Sequence, residues 1–193
     1  TKKEFFDSKG NRVNLDELDS AKQWISEHFL FMDYRRDSPS EIEGILDIAS
    51  NAVMQMGCRI LVVDPYNYIE LSKGGKETDE ISALLTKVQQ WAKSHDAHVF
   101  FIAHPTKVGS DGRNQKIVPT GNDVSGSAAW YAKADLGWTL WRDPHDIDPP
   151  EVHIWKIRWS WIGNHGVCPL KFDRDIGVWS DYVPSADNDD WDF

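Results

Sequence analysis

Uninterrupted apolar segments mark two strands in the middle of the chain. Residues 60–63 are Ile-Leu-Val-Val, and residues 98–103 form a second run that is apolar after its first histidine. Runs of this length, rich in β-branched or aromatic residues, are typical of strands buried on both faces of a parallel sheet. Asp64 follows the first run and His104 follows the second. Because ligands bind at the carboxyl ends of parallel strands, we expect this carboxylate and this imidazole at one ligand-binding edge.

Apolar residues spaced three or four positions apart predict the helices between these strands. The predicted helices cover residues 14–27, about 39–56, 78–94 and 126–133. For the second helix we expect Ser38 to cap the first turn and Glu41 to close a capping box. Pro39 fits the first helical position, and Gly57 is expected to end the helix.

Strand follows strand in the last third of the chain. The remaining predicted strands are 29–32, 135–141, 151–159, 166–172 and 176–179. Lys156 and Arg158 share one face of the third of these, because residues two apart on a strand point the same way. Tryptophans of the opposite parity are expected to be buried on the other face, namely Trp155, Trp159 and Trp161. The order of elements predicts an α/β fold, a mostly parallel sheet with antiparallel strands at its carboxyl-terminal edge.

The charge of the chain is strongly negative but unevenly distributed. The net charge is −10 at pH 7, and residues 181–193 contribute five aspartates without a Lys or Arg. The overall charge argues against nucleic acid, but a local basic loop can still bind phosphates. Two polar segments, 66–76 and 105–118, supply basic residues that are either DNA contacts or ordinary solvated surface. These residues are Lys73, Lys76, Lys107, Arg113 and Lys116.

Candidate chemistry centres on four side chains. A carboxylate after a buried strand, like Asp64, can hold Mg²⁺ through water and so bridge two phosphates, or it can simply cap the next turn. His104 can contact a terminal phosphate or position a water, or it can be a structural histidine. Lys156 and Arg158 can stabilise charge on a transferring phosphoryl group, or they can form a solvated strand face.

Together these segments resemble the carboxyl-terminal helicase half of ring-shaped replicative helicases over about residues 25–180. Those families are the DnaB type, the phage helicase-primases and the Twinkle type, and the last two match better because they also have His where DnaB proteins have Gln. The resemblance rests on six motifs in the right order: Asp64-Pro65, His104-Pro105-Thr106-Lys107, Val124-Ser125-Gly126-Ser127-Ala128, Ala134-Asp135, Lys156-x-Arg158 with Gly163 and Gly166, and Asp189-Asp190-Trp191-Asp192-Phe193.

The resemblance implies a RecA-like core that assembles into a hexameric ring. The ring would hydrolyse ATP or dTTP with Mg²⁺ and move 5′-to-3′ on single-stranded DNA. It implies that Asp64 is the Mg²⁺ ligand and His104 the γ-phosphate sensor. Arg158, with Lys156, would be the arginine finger that acts on the nucleotide of the neighbouring subunit. The basic residues of segments 66–76 and 105–118 would contact DNA in the central channel.

The acidic tail, residues 181–193, is predicted to be disordered. By the same resemblance, it would recruit a replicative DNA polymerase or another replisome protein. Its three acids would meet a basic groove while two aromatic residues insert; these are Asp189, Asp190, Asp192, Trp191 and Phe193. The alternative, a tail that only keeps the protein in solution, accounts poorly for the terminal aromatic residues.

The phosphate loop, Gly-x-x-x-x-Gly-Lys-Ser/Thr, does not occur in these residues. We expect it upstream of Thr1 together with the catalytic glutamate, so that residues 1–180 form the carboxyl-terminal part of a RecA-like domain. The 193-residue chain alone is then expected to hydrolyse no ATP, since the phosphates lose their main cradle. The competing hypotheses are a RecA- or RadA-like recombination ATPase and a non-catalytic module that docks a polymerase and single-stranded DNA.

The two cysteines bear on the cellular compartment. Cys58 and Cys168 are far apart and lack metal-ligand spacing, so we expect reduced core thiols. No apolar run approaches the ~20 residues of a membrane span. These features, with the resemblance, lead us to expect a phage-encoded protein in the host cytoplasm, with the mitochondrial matrix as the alternative.

Overall fold

The structure, a computed structural model, describes residues 14–32, 41–71, 76–106, 117–124, 128–142, 149–174 and 176–183. Its helices are α1 Leu15–His28, α2 Ile42–Met56, α3 Glu77–Ser94 and α4 Ala128–Lys133. Its strands are β1 Ile60–Val63, β2 His98–Phe101, β3 Leu136–Trp141, β4 Glu151–Ile157, β5 Gly166–Asp173 and β6 Val178–Asp181. Short 3₁₀ turns occur at Tyr66–Tyr68 and Gly121–Asp123.

The two apolar runs form the predicted parallel pair. Strands β1 and β2 lie side by side, with Ile60 opposite His98 and Val63 opposite Phe101. Helix α3 makes the crossover, as parallel strands require. The pairing continues past the strand ends, because the backbone N–H of Ile102 donates to Val63 O at 2.9 Å. The carboxyl ends of both strands therefore meet at one edge.

The last third of the chain folds into an antiparallel sheet in the order β3-β4-β5-β6. Leu136 pairs with Ile157, Val152 with Cys168, and a register shift falls at Gly137. The predicted α/β class, with a parallel and an antiparallel part, is confirmed. Among the described residues the two parts are separate ladders rather than one sheet, although an isolated bridge joins Pro105 to Val124.

The clearest differences from the predicted elements concern the start of α2 and the strand at 29–32. Helix α2 begins at Ile42, and Glu41 is its N-cap without a side-chain capping bond. The predicted cap at Ser38 and Pro39 lies outside the described residues. The predicted end is confirmed, since Gly57 adopts φ 73°, a left-handed conformation that glycine accepts readily. The strand predicted at 29–32 is wrong, because those residues are not in a strand and form no ladder with any residue that the structure describes.

The hydrophobic core lies between helices α2, α3 and α4 and one face of the parallel pair. Leu61 and Val63 are buried, whereas Ile60 and Val62 are 61% and 53% exposed. The expectation that this strand is buried on both faces is therefore wrong for the described residues. The reason is that the helices described pack against one face, so that alternate residues of β1 point away from them.

Three further predictions concern the tryptophans, the cysteines and membrane-spanning helices. Trp155 is half-buried as expected, but Trp159 and Trp161 are exposed, because β4 ends at Ile157 and the strand alternation no longer applies beyond it. Both cysteines are free, as predicted, but Cys168 is exposed on β5 and is not a core residue. No helix in the described ranges is both long and apolar enough to cross a membrane.

Candidate nucleotide-binding site

Asp64 and His104 lie at the same edge of the parallel pair. Asp64 directly follows β1, and His104 lies three residues beyond the end of β2. A second backbone hydrogen bond joins the segments that follow the two strands: the N–H of Tyr66 donates to Ile102 O at 3.0 Å. Both side chains are exposed. The structure thus brings together the two residues that the sequence placed at the carboxyl ends of neighbouring strands.

Asp64 is chemically suited to bind a cation through water. Neither Asp64 nor His104 forms a hydrogen bond or an ion pair with any other residue that the structure describes. No group of three or more His, Cys, Asp or Glu side chains in that part of the chain could hold a metal ion. A Mg²⁺ ion at Asp64 would therefore take most of its oxygen ligands from water and phosphate, which is how this ion usually binds.

Helix α4 packs directly beneath this edge. The indole of Trp130 meets the ring of Tyr66 edge-on at 4.6 Å between centroids, and it lies 5.5 Å from the ring of Phe101. Tyr66 and Trp130 are both buried. Burial raises the pKa of Tyr66 and the charge of Glu77 raises it further, so the phenol stays neutral around neutral pH. Aromatic packing of this kind fixes the position of α4 relative to the strand ends.

Lys156 lies against the opposite, carboxyl-terminal end of α4. Its ammonium donates to the backbone oxygens of Tyr131 and Ala132, the latter at 3.0 Å, and sits 4.9 Å from the centre of the Tyr131 ring. A cation there complements the partial negative charge of a helix carboxyl end. Burial lowers the pKa of Lys156, and the neighbouring Arg158 lowers it further, while Asp135 acts in the opposite direction.

Arg158 is held at the same helix end. Its Nε donates to Asp135 Oδ1 at 2.5 Å. Its Nη2 donates to three successive backbone oxygens at 3.0 to 3.2 Å, those of Ala132, Lys133 and Ala134. No hydrogen bond or ion pair within the described ranges joins Arg158 or Lys156 to Asp64 or His104. Within these residues, Lys156 and Arg158 are therefore bonded to the carboxyl end of α4 and to Asp135, and not to the acid–imidazole edge.

Four of the five predicted DNA-contacting residues lie outside the described residues, and so do the predicted partner-binding residues of the tail. The former are Lys73, Lys107, Arg113 and Lys116, and the latter are Asp189, Asp190, Trp191, Asp192 and Phe193. Lys76 is described: it is exposed at the N-cap of α3. The base of the second loop is also described. The N–H and the hydroxyl of Thr106 both donate to Asp123 O at 2.7 Å, so the chain entering this loop is tied to the chain leaving it. Asp181, the first residue of the predicted tail, belongs to β6 instead, and residues 184–193 lie outside the described residues.

Asp135 was not assigned a role by sequence reasoning. It was noted only as part of the Ala134-Asp135 motif, and nothing local connects it to a cation. Its contact with Arg158 spans 23 positions and exists because β3 and β4 pair, with the N–H of Arg158 donating to Asp135 O at 2.9 Å. The contact could have been predicted from one signal: Asp135 directly precedes β3, and Arg158 directly follows β4, the strand that pairs with β3.

The fold of the chain is that of a DnaB-like helicase. It matches the structure of a DnaB-like replicative helicase, studied with its interactions with primase, at a TM-score of 0.70 and 21% identity. The match covers 91% of this chain and 44% of that chain. The predicted RecA-like helicase fold is thus confirmed.

In sequence, the chain is similar to the chloroplastic/mitochondrial Twinkle homolog protein of Arabidopsis thaliana. The two are 32% identical over 191 residues, which is 93% of this chain and 26% of that protein. The resemblance to DnaB-like and Twinkle-like helicases that the motifs predict is thereby confirmed. The chain spans about a quarter of the length of the Twinkle homologue and under half of the DnaB-like chain. No family model matches it.

Proposed function

We propose that this chain is the carboxyl-terminal part of the motor domain of a ring-shaped replicative DNA helicase. The parent protein would hydrolyse ATP or dTTP with Mg²⁺ while moving 5′-to-3′ on single-stranded DNA and unwinding duplex. The observation that carries this proposal is that Arg158 is bonded to Asp135 and to the carboxyl end of α4, and to neither Asp64 nor His104 among the described residues. An ATP site that needs all three is completed only when two subunits meet, as a ring provides.

At the acid–imidazole edge, each side chain has a distinct task. Asp64 would hold the water shell of Mg²⁺, and this ion supplies positive charge to the β- and γ-phosphates when it is bound. His104 would contact the γ-phosphate or orient the attacking water. The exposure of both side chains and the absence of partners for them among the described residues support these roles, since a structural cap or a core histidine would be bonded.

Arg158 would act on the nucleotide of the neighbouring subunit, with Lys156 beside it. The surface around Arg158 suits a subunit contact. Trp161 is 79% exposed and Ile162 is 50% exposed in the turn that follows Arg158. The ring of Trp161 lies 6.3 Å from that of Trp159. Apolar residues exposed together next to a charged group are typical of interaction sites.

DNA would be bound through the basic loops and partners through the tail. Lys73, Lys76, Lys107, Arg113 and Lys116 would contact phosphates in the central channel, giving salt-sensitive binding without sequence preference. The last five residues would dock a replicative DNA polymerase or another replisome protein. For the compartment we propose the cytoplasm of a phage-infected host, with the mitochondrial matrix as the alternative, which agrees with the organelles named for the Twinkle homologue.

Mixed rings of the full helicase test whether Arg158 acts across the subunit boundary. Subunits carrying Arg158→Ala are mixed in equal amounts with subunits carrying Asp64→Asn. Each variant alone should lose ~10³-fold or more of its DNA-stimulated ATP hydrolysis, since every site lacks one component. In mixed rings about one interface in four combines an intact Asp64 with an intact Arg158 from the next subunit. We expect activity to return towards that fraction of the wild-type rate.

The control mixture pairs Arg158→Ala with the double variant Asp64→Asn/Arg158→Ala, which contains no intact finger and should stay inactive. Ring assembly and nucleotide binding by Arg158→Ala are measured in parallel, and both should persist. Undiminished hydrolysis by Arg158→Ala alone, or no recovery in mixed rings that assemble, would refute the proposed role of this residue.

A further inference from the structure

We propose that Asp135, together with the carboxyl-terminal carbonyls of α4, is the positioning residue for the guanidinium of Arg158. The inference rests on the proposed function, because it concerns how the finger is held ready for the neighbouring nucleotide. The observation behind it is that this surface cation is bonded to four acceptors of its own chain, across 23 to 26 positions.

The geometry fixes the plane of the guanidinium. Asp135 bonds both the backbone and the side chain of Arg158. The backbone oxygen of Asp135 accepts from the Arg158 N–H, and the Asp135 carboxylate accepts from Arg158 Nε at 2.5 Å. The three helix-end carbonyls then bond Nη2. A guanidinium is rigid and planar, so contacts at two of its nitrogens determine where the third points.

The third nitrogen is the one left for a ligand. Within the part of the chain that the structure describes, Nη1 of Arg158 donates no hydrogen bond. The arginine side chain is only 36% exposed, and that of Asp135 is 40% exposed, so the pair is partly shielded from water. The described residues thus restrain Arg158 through Nε and Nη2, and Nη1 is the nitrogen that would meet a phosphate oxygen, which is the arrangement that preorganisation requires.

The helix end that holds Arg158 is itself anchored. The ammonium of Lys133 donates to Thr86 on α3, and the side chain of Gln89 on α3 donates to Lys133 O, one of the oxygens that Arg158 also uses. At the other end of α4, Trp130 packs on Tyr66 beneath the acid–imidazole edge. Arg158 is therefore held by a platform that the core fixes, and a functional group on a rigid support is placed more accurately than one on a loop.

The mixed rings described above also test this inference, because they separate the subunit that supplies the finger from the subunit that supplies the site. Asp135→Ala is placed first in the Asp64→Asn subunit, whose only task is to supply Arg158. It is placed second in the Arg158→Ala subunit, which supplies only the site. In the first arrangement we expect hydrolysis by the mixed rings to fall about tenfold at saturating nucleotide, with KM little changed, since a misplaced group lowers kcat. In the second we expect the mixed-ring rate to be retained.

Asp135→Glu in the finger subunit should recover part of the rate, because a carboxylate is restored. Assembly and thermal unfolding are measured for each variant, and Asp135→Asn, which keeps the shape of the side chain, replaces Asp135→Ala if that variant does not fold. Equal losses in the two arrangements, or no loss in the first, would overturn the positioning role. If the parent mixture without any change at Asp135 shows no recovery, it is the trans role of Arg158 that fails instead.

Discussion

The indole of Trp155 fills the space beside Gly137, which lies on the neighbouring strand of the antiparallel sheet. A Cβ added at Gly137 would collide with three ring carbons of Trp155, the farthest of them at 2.7 Å. The indole cannot move away easily. Its Nε1 donates to Thr139 Oγ1 at 3.0 Å, its ring stacks on that of Tyr131, and a Cβ at Gly121 would also fall 2.7 Å from it.

Substituting Gly137→Ala should therefore destabilise the antiparallel sheet. Overpacking a site whose neighbours are held costs about 1–3 kcal/mol of the free energy of unfolding. Urea unfolding of the purified protein, followed by tryptophan fluorescence, would measure the loss as a shift of the midpoint at an unchanged slope.

Gly166→Ala is the matched control for this prediction. Gly166 also lies in the antiparallel sheet, at the start of β5, and a Cβ there meets no atom of the described residues within 4 Å. We expect its unfolding midpoint to stay near that of the wild type. Equal midpoints for Gly137→Ala and Gly166→Ala would show that Trp155 is not packed as described.

The contact between α2 and α3 through Glu43 and Lys87 should make stability depend on pH. The ammonium of Lys87 donates to the Glu43 carboxylate, and this lowers the pKa of Glu43 below 4.5. A carboxyl group whose pKa is depressed by folding stabilises the folded state above its unfolded pKa, and the contribution is lost as the pH falls through the folded pKa. Because both side chains are about half exposed, Lys87→Met should cost only about 0.5 kcal/mol at neutral pH.

Thermal unfolding between pH 7 and pH 3 tests this dependence. The difference between wild type and Lys87→Met should shrink as the pH falls from about 4.5, the ordinary pKa of the group, through the lower pKa of Glu43 in the folded state. Lys93→Met on the same helix is the control, since Lys93 is exposed and forms no ion pair with the residues that the structure describes. A constant difference over the whole pH range would contradict the assignment to Glu43.

Deletion of residues 187–193 from the full helicase should leave unwinding intact and weaken its coupling to a replicative polymerase. The tail would act by charge complementarity and by insertion of aromatic residues. Strand-displacement synthesis by helicase and polymerase together, compared with unwinding by the helicase alone, measures the coupling.

Two variants of the tail separate its charge from its aromatic residues. Trp191→Ala/Phe193→Ala keeps every acid, whereas Asp189→Asn/Asp190→Asn/Asp192→Asn keeps both rings. We expect the first to lose most of the coupling at any salt concentration, and the second to lose it mainly at low salt, where electrostatic steering is strongest. Unchanged coupling after the deletion would leave the tail without the proposed role.

Sequence periodicity anticipated most elements but not their surroundings. The helix ending at Gly57 and the strands at Ile60 and His98 were predicted within a few residues, because caps and apolar spacing act locally. The burial of Ile60 and Val62 was predicted wrongly, because exposure depends on which elements cover a face. The strand expected at 29–32 failed for the same reason: an extended segment becomes a strand only when another strand pairs with it.

The sequence by itself determined that a carboxylate and an imidazole follow two apolar strands, and that Lys156 and Arg158 lie two positions apart near the end of one strand, although β4 ends at Ile157 and Arg158 lies just beyond it. Both conclusions follow from local geometry, which has a fixed period along the chain. Only the tertiary structure decided what those groups contact. The pairing of β3 with β4 brings Arg158 next to Asp135, and α4 packs between these strands and the core. Arg158 is therefore bonded to Asp135 and not to Asp64. A long side chain bonds whichever hydrogen-bond acceptors the fold places near it, and these acceptors belong to residues far away in the sequence.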